Sequence, residues 1–174
     1  MDLALLALRV VVGLLFVGHG SQKLFGAFGG GGLNATADMF DAIGLRPGQL
    51  HSRAAGAAEV AGGALLALGL LTPVGAALVI AVMVAAIVAV HAPKGVWNTN
   101  GGYEYNLVMV ASAFALAGVG PGGWSLDDAL GIDWSSTGWA LAALGAGLLG
   151  GGATVIGGRL AAGRHERGAR PHTA

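Results

Sequence analysis

The sequence predicts an all-α, polytopic transmembrane helix bundle, with four helices as its core and a fifth hydrophobic helix toward the C-terminus. Three observations point there. Hydrophobic residues make up 55% of the 174 and charged residues 10%, against about 25% charged in a soluble domain. The apolar residues gather in five stretches close to bilayer length. The 33 glycines sit among Ala, Leu and Val, a composition that lets helix backbones approach closely in lipid.

Taken in order, the spans read as Leu3–Phe25, Ala54–Leu71, Val74–Ala92, Tyr103–Val119 and Thr137–Gly158. At 1.5 Å per residue a 19-residue helix covers about 28 Å, enough for a bilayer core. The first run is not read as a cleaved signal peptide, because it lacks a basic start, carries Arg9 within it and offers a poor cleavage site at His19–Lys23. Thr72-Pro73 leaves almost no linker, so the second and third spans form a tight hairpin. In the connection from Gly26 to Arg53, the Gly29–Gly32 run reads as flexible and Thr36–Gly44 as a short interfacial helix. Ser125, three residues before Asp128, has the spacing of a capping box and starts another short helix. The domain organisation expected is a four-helix core over residues 1–130, a fifth membrane helix over 131–162 and a basic, disordered cytoplasmic tail over 163–174.

The formal net charge is zero, yet the signs are segregated. With the C-terminus in the cytoplasm, Lys23, Arg46, Arg53, Lys94, Arg159, Arg164, Arg167 and Arg170 fall inside, while Asp127, Asp128 and Asp133 fall outside. Cytoplasmic loops carry the Lys/Arg excess. The orientation depends on the glycine-rich fifth segment spanning fully. Trp97, Tyr103 and Tyr105 mark the inner boundary, and Trp124, Trp134 and Trp139 the outer one.

Alternating helix directions bring the polar residues of the spans toward one boundary. His19 and Lys23 close the first helix, Glu59 opens the second, His91 closes the third, and Glu104 and Asn106 open the fourth. Charge in hydrocarbon is costly and marks function by default. Arg9 lies about 15 Å further along the first helix, but Arg9, Phe16, His19 and Lys23 share one helical face. That face is expected to point inward, with Glu59 as the partner of Arg9. A structural ion pair that fixes helix register and a functional role for Arg9 are evenly balanced. Glu59, on an otherwise apolar helix and with Arg9 or Lys23 as possible partners, is a candidate for proton exchange with a quinol or a transported solute, beside the plainer reading of a buried salt bridge.

Other readings are weaker. His19 and His91 on separate helices are formally able to ligate haem, but His is frequent at membrane boundaries, and the haem reading is set aside. No metal site is expected, since His91 with Glu59 or Glu104 lacks a metal-binding spacing. The absence of Cys excludes thiol–disulfide chemistry and Cys-ligated clusters within the chain. The glycine run lacks the Lys-Ser/Thr of a phosphate loop. Gly147-x-x-x-Gly151 suits packing against another helix or a second copy in a homo-oligomer. The arginine tail reads as a topology signal and anionic-lipid contact, and no nucleic-acid partner is expected.

Four blocks carry a family resemblance: FVGHGSQKLFG (Phe16–Gly26), EVAGGALLALGLLTPVGA (Glu59–Ala76), NTNGGYEYNLVMVASAFAL (Asn98–Leu116) and GPGGWSLDDAL (Gly120–Leu130). In this order they resemble the DoxX family of small bacterial membrane proteins. The resemblance implies a four-helix membrane core associated with redox systems, as in relatives described as subunits of a quinol oxidase or a thiosulfate:quinone oxidoreductase. It also implies soluble partners, a superoxide dismutase and a sulfurtransferase, and a link to oxidative stress. The family has no agreed catalytic residues, so Arg9, His19, Lys23, Glu59, His91, Glu104 and Asn106 stand as a candidate polar cluster with no catalytic assignment.

The leading expectation is therefore an integral subunit of an oxidoreductase system in the bacterial plasma membrane, accessory rather than catalytic alone. Its inner-facing cluster would hold a quinone or dock soluble redox enzymes, and no intrinsic cofactor is expected. The alternatives are a small-solute or proton-coupled transporter, and a purely structural anchor or assembly factor.

Overall fold

The structure is a computed structural model that describes residues 1–168. Helix α1 (Asp2–Phe25) stops at Gly26, whose φ of 70° is left-handed and whose N–H reaches back to Gln22. A turn follows in which Gly30 packs on the backbone of Gln22, so the glycine run closes a compact connection. Helix α2 (Gly32–Ala42) begins four residues before the expected Thr36. Helices α3 (Gly48–Leu68) and α4 (Thr72–Ala86) form the anticipated hairpin. Beyond α4 the chain winds through a π-helical turn (Ile87–His91) and a 3₁₀ turn (Ala92–Lys94). Helix α5 (Glu104–Val119), the short α6 (Leu126–Ala129) and the long α7 (Thr137–Gly168) complete the chain.

Among the described residues three helices are long and apolar enough to cross a membrane: Asp2–Phe25, Thr72–Lys94 and Thr137–Arg164. The other two bundle helices fall short for different reasons. Helix α5 is apolar but has 16 residues, about 24 Å. Helix α3 starts at Gly48 instead of Ala54, takes in His51, Ser52 and Arg53, and buries Gly56 and Gly63 against α1. Helix α7 runs through Gly168, so residues 163–168 of the expected disordered tail continue the helix; the remainder, 169–174, lies outside the described residues.

Close backbone approach sets the register between α1 and α3, the most extensive helix pairing in the bundle. A Cβ on Gly13 would stand 2.5 Å from the Gly63 carbonyl oxygen, and one on Gly20 would stand 2.6 Å from that of Gly56. No larger residue fits at these crossings. With Gly13 on Gly63 and Gly20 on Gly56, the helices are antiparallel, Glu59 lies level with Val17, and Ala67 lies level with Arg9. Helix α4 packs on α3 and on α7, and α5 packs on α4 and α7. Val12, Phe16, Leu66, Val79, Ile80 and Leu116 fill the space among them. The Gly147/Gly151 pair is used inside the chain, against Ile80, Ala81 and Val84 of α4. The bundle has two polar ends, one near Lys23 and His91, the other near Arg9 and Asp127.

Candidate functional site

A cavity of about 610 Å³ opens at the Lys23 end. Its walls are largely alanine and apolar side chains from α2, α3, α4 and α7, and its polar corner holds His19, Lys23, Glu59, His91 and Asn106. Lys23, in the last turn of α1, places Nζ 2.7 Å from both carboxylate oxygens of Glu59. The Glu59 side chain is 3% exposed and that of Lys23 25%. A carboxylate this deep needs a charged partner, and the flexible lysine stem supplies one while keeping its head near water.

The other members of the cluster surround this pair. His19, one turn before Lys23, shares Nδ1 with Oε1 of Gln22 at 3.2 Å and sets its ring edge-on to Tyr105, with centroids 6.4 Å apart. His91 is delivered by the π-helical turn, a feature that recurs at functional sites, and its Nδ1 lies 2.7 Å from the Gly101 carbonyl oxygen. Asn106 is 4% exposed, and its amide donates to the Met83 thioether at 3.3 Å. A thioether is a weak acceptor, so this amide keeps most of its hydrogen-bonding capacity for the cavity.

Two predicted members lie elsewhere. Glu104 is exposed, and its carboxylate accepts the Asn98 N–H at 3.0 Å, closing the turn before α5 rather than lining the cavity. Arg9 is 1% exposed at the opposite end, where it donates to the carbonyl oxygen of Trp124. Glu59 is not its partner, contrary to the sequence expectation. The glycine register sets Glu59 eight residues, about 12 Å, from the level of Arg9, and the nearer lysine takes it. Arg9 instead lies beside Gly69 and within electrostatic reach of Asp127.

Asp127 is the buried polar residue that sequence reasoning missed, having placed it among the solvent-facing acids of a loop. It is fully buried. Its Oδ1 accepts the Leu71 N–H at 2.8 Å, and its Oδ2 accepts the Thr72 N–H at 3.1 Å and hydroxyl at 2.8 Å. Its own N–H donates to Gly69 at 2.8 Å. These bonds hold the α3–α4 hairpin at Leu71, whose φ of 45° is unfavourable for a branched side chain. The available signal was the expected cap: Ser125 Oγ accepts the Asp128 N–H at 3.1 Å, which turns Asp127 inward and leaves Asp128 exposed. Asp133 nearby is solvent-exposed, and hydrogen bonds from the backbone and hydroxyl of Ser135 hold its carboxyl below the usual range. Among the described residues no three His, Asp or Glu side chains converge as a metal site would require.

An antiparallel helical bundle with a buried ion pair at one end and a buried arginine and aspartate at the other defines a small polytopic membrane protein. Residues 4–92 match the DoxX family, a stretch from the first turn of α1 to just past the π-helical turn. The chain is 30% identical over 136 residues to an uncharacterized membrane protein of Mycobacterium tuberculosis (strain ATCC 25618 / H37Rv), covering 71% of this chain and 79% of that relative. The chain belongs to the DoxX family. No solved structure matches it.

Proposed function

We propose that this protein is an integral, accessory subunit of an oxidoreductase system whose cavity at the Lys23 end holds a quinone. The observation that carries the reading is the Lys23–Glu59 pair set into the wall of an otherwise apolar cavity of about 610 Å³. A ligand pocket of this size with a few convergent polar groups suits a small amphipathic molecule. Lys23 and Asn106 offer donors to ring oxygens; Glu59 and His19 offer acceptors to ring hydroxyls, and the Lys23 partner holds Glu59 as the carboxylate that can accept a proton from a ring hydroxyl. A bound quinone would supply the redox chemistry, and the chain's residues bind, orient and exchange protons.

The Lys23 end is assigned to the cytoplasm of the bacterial plasma membrane, because Lys23, Arg46, Arg53, Lys94, Arg159 and Arg164 gather toward it while Asp2, Asp127, Asp128 and Asp133 mark the other end. Soluble redox enzymes, a superoxide dismutase or a sulfurtransferase by family resemblance, would then dock beside the cavity. Lipid extracts of the protein purified in mild detergent test this reading. The expected result is a quinone enriched over bulk lipid in wild type and reduced to background in Glu59→Gln. Equal quinone in both, or none in either, overturns it. Charge facing a cavity also suits a solute or proton path, and that second reading predicts Glu59-dependent uptake into proteoliposomes.

A further inference from the structure

Helix α4 is the floor of the cavity, and α3 and α7 are its two walls. Both pack on α4, yet among the described residues they barely touch each other. Ala81 and Ala85 of α4 and Ala89 of the π-helical turn are therefore partly exposed in the gap between them. The α3 wall adds Ala54, Ala55 and Ala58, and the α7 wall adds Gly150 and Thr154. Where a lipid-facing helix would ordinarily carry Leu or Val, these small residues recess the surface into a slot. Near the Lys23 end the slot is covered: Met39 and Phe40 of α2, with Ile43 just after it, lie over it. Leu45, 3% exposed, seals against α7 at Gly158, where a Cβ would stand 3.1 Å from the Leu45 Cα.

Taking the quinone reading above as given, we infer that the cavity is loaded sideways from the bilayer between α3 and α7, and that the alanine slot holds the ligand's apolar chain. The occupant is an uncharged ring bearing a long hydrocarbon tail. Lys23 is the only lysine or arginine among the described residues that line the cavity, and Glu59 neutralises it at 2.7 Å, so the polar corner favours a neutral ring with two oxygens over an anionic phospholipid head. The small walls match a chain in cross-section, and the gap lets a chain longer than the cavity extend into lipid.

The test compares two probes on the full chain: decylubiquinone, and the same dimethoxy-methyl-benzoquinone ring without its chain. Wild type is expected to bind the tailed probe at least about tenfold more tightly than the bare ring, after correction for partition into detergent. Ala85→Phe narrows the slot from the floor, and Gly150→Phe narrows it from the α7 wall, where a Cβ meets only the Ala81 Cβ at 3.6 Å. Each variant is expected to weaken decylubiquinone about tenfold while leaving the bare ring within about twofold. Equal wild-type affinity for the two probes, or equal losses for both in the variants, overturns the slot and leaves the quinone reading standing. Failure of wild type to bind either probe overturns both.

Discussion

At the Asp127 end a buried carboxylate accepts three hydrogen bonds from Leu71 and Thr72; at the Lys23 end a buried carboxylate pairs with one lysine in the wall of a cavity of about 610 Å³. The first carboxylate is saturated by backbone and hydroxyl donors, and its loop is packed over the hairpin it holds. The second has Lys23 as its one side-chain partner among the described residues, beside an asparagine whose amide donates only to a weak thioether acceptor and keeps capacity to spare. Buried charge is expensive in either place. For the Asp127 carboxylate that cost is offset by fixing a turn, although Arg9 beside it keeps Nε and Nη1 without a partner among the described residues; for Glu59 the unspent acceptor capacity is available to a ligand. The same family of helices thus carries a lock at one end and a receptor at the other.

If the Asp127 end is a lock, removing its carboxylate should damage stability most. Asp127→Ala is expected to lower stability by about 3–5 kcal/mol, because the Leu71 and Thr72 donors are left buried without acceptors. Asp128→Ala, one residue on and exposed, should stay within about 0.5 kcal/mol. Thermal unfolding in detergent measures both, and equal effects would dissolve the distinction between the two aspartates.

The ion pair should respond asymmetrically. Lys23→Met strands a carboxylate that is 3% exposed, at an expected cost of about 3 kcal/mol. Glu59→Gln leaves a lysine able to reach water, at about 1 kcal/mol. The double variant should recover most of the loss, with a coupling of about 1–3 kcal/mol in a double-mutant cycle. Simple additivity would show that the two side chains are independent.

The smallest effect belongs to Asp133. Its depressed carboxyl stays ionised to lower pH in the folded chain than in the unfolded one, so its Ser135 contacts are present at neutral pH and are lost on acidification through that lowered value. Ser135→Ala should move the titration back up toward the ordinary aspartate range, read by side-chain carboxyl NMR, with no resolvable change in melting temperature because the group is solvent-screened.

Much of this architecture was legible in the sequence. The five bundle helices, the Thr72-Pro73 hairpin and the Ser125 cap follow from hydropathy, proline placement and local spacing. Five polar residues that the alternating directions grouped together do line one cavity. What escaped was set by register and by loop closure. The partner of Glu59 depends on which glycines of α1 and α3 cross, since a shift of one turn would exchange Lys23 for a residue higher on the helix. The burial of Asp127 depends on a loop folding back over a hairpin 55 residues earlier in the chain, which no periodicity announces. The π-helical turn before His91 has no compositional mark at all: IVAVH reads as the continuation of an apolar α-helix.

Equilibrium binding of decylubiquinone to the purified full-length chain, in wild type, Glu59→Gln and Asp128→Ala, examines the receptor end against an exposed control at the other. Saturable binding in wild type and Asp128→Ala, with loss of about tenfold or more in affinity in Glu59→Gln, is the expected outcome. Binding that is non-saturable, or indifferent to Glu59, would contradict the assignment of this cavity.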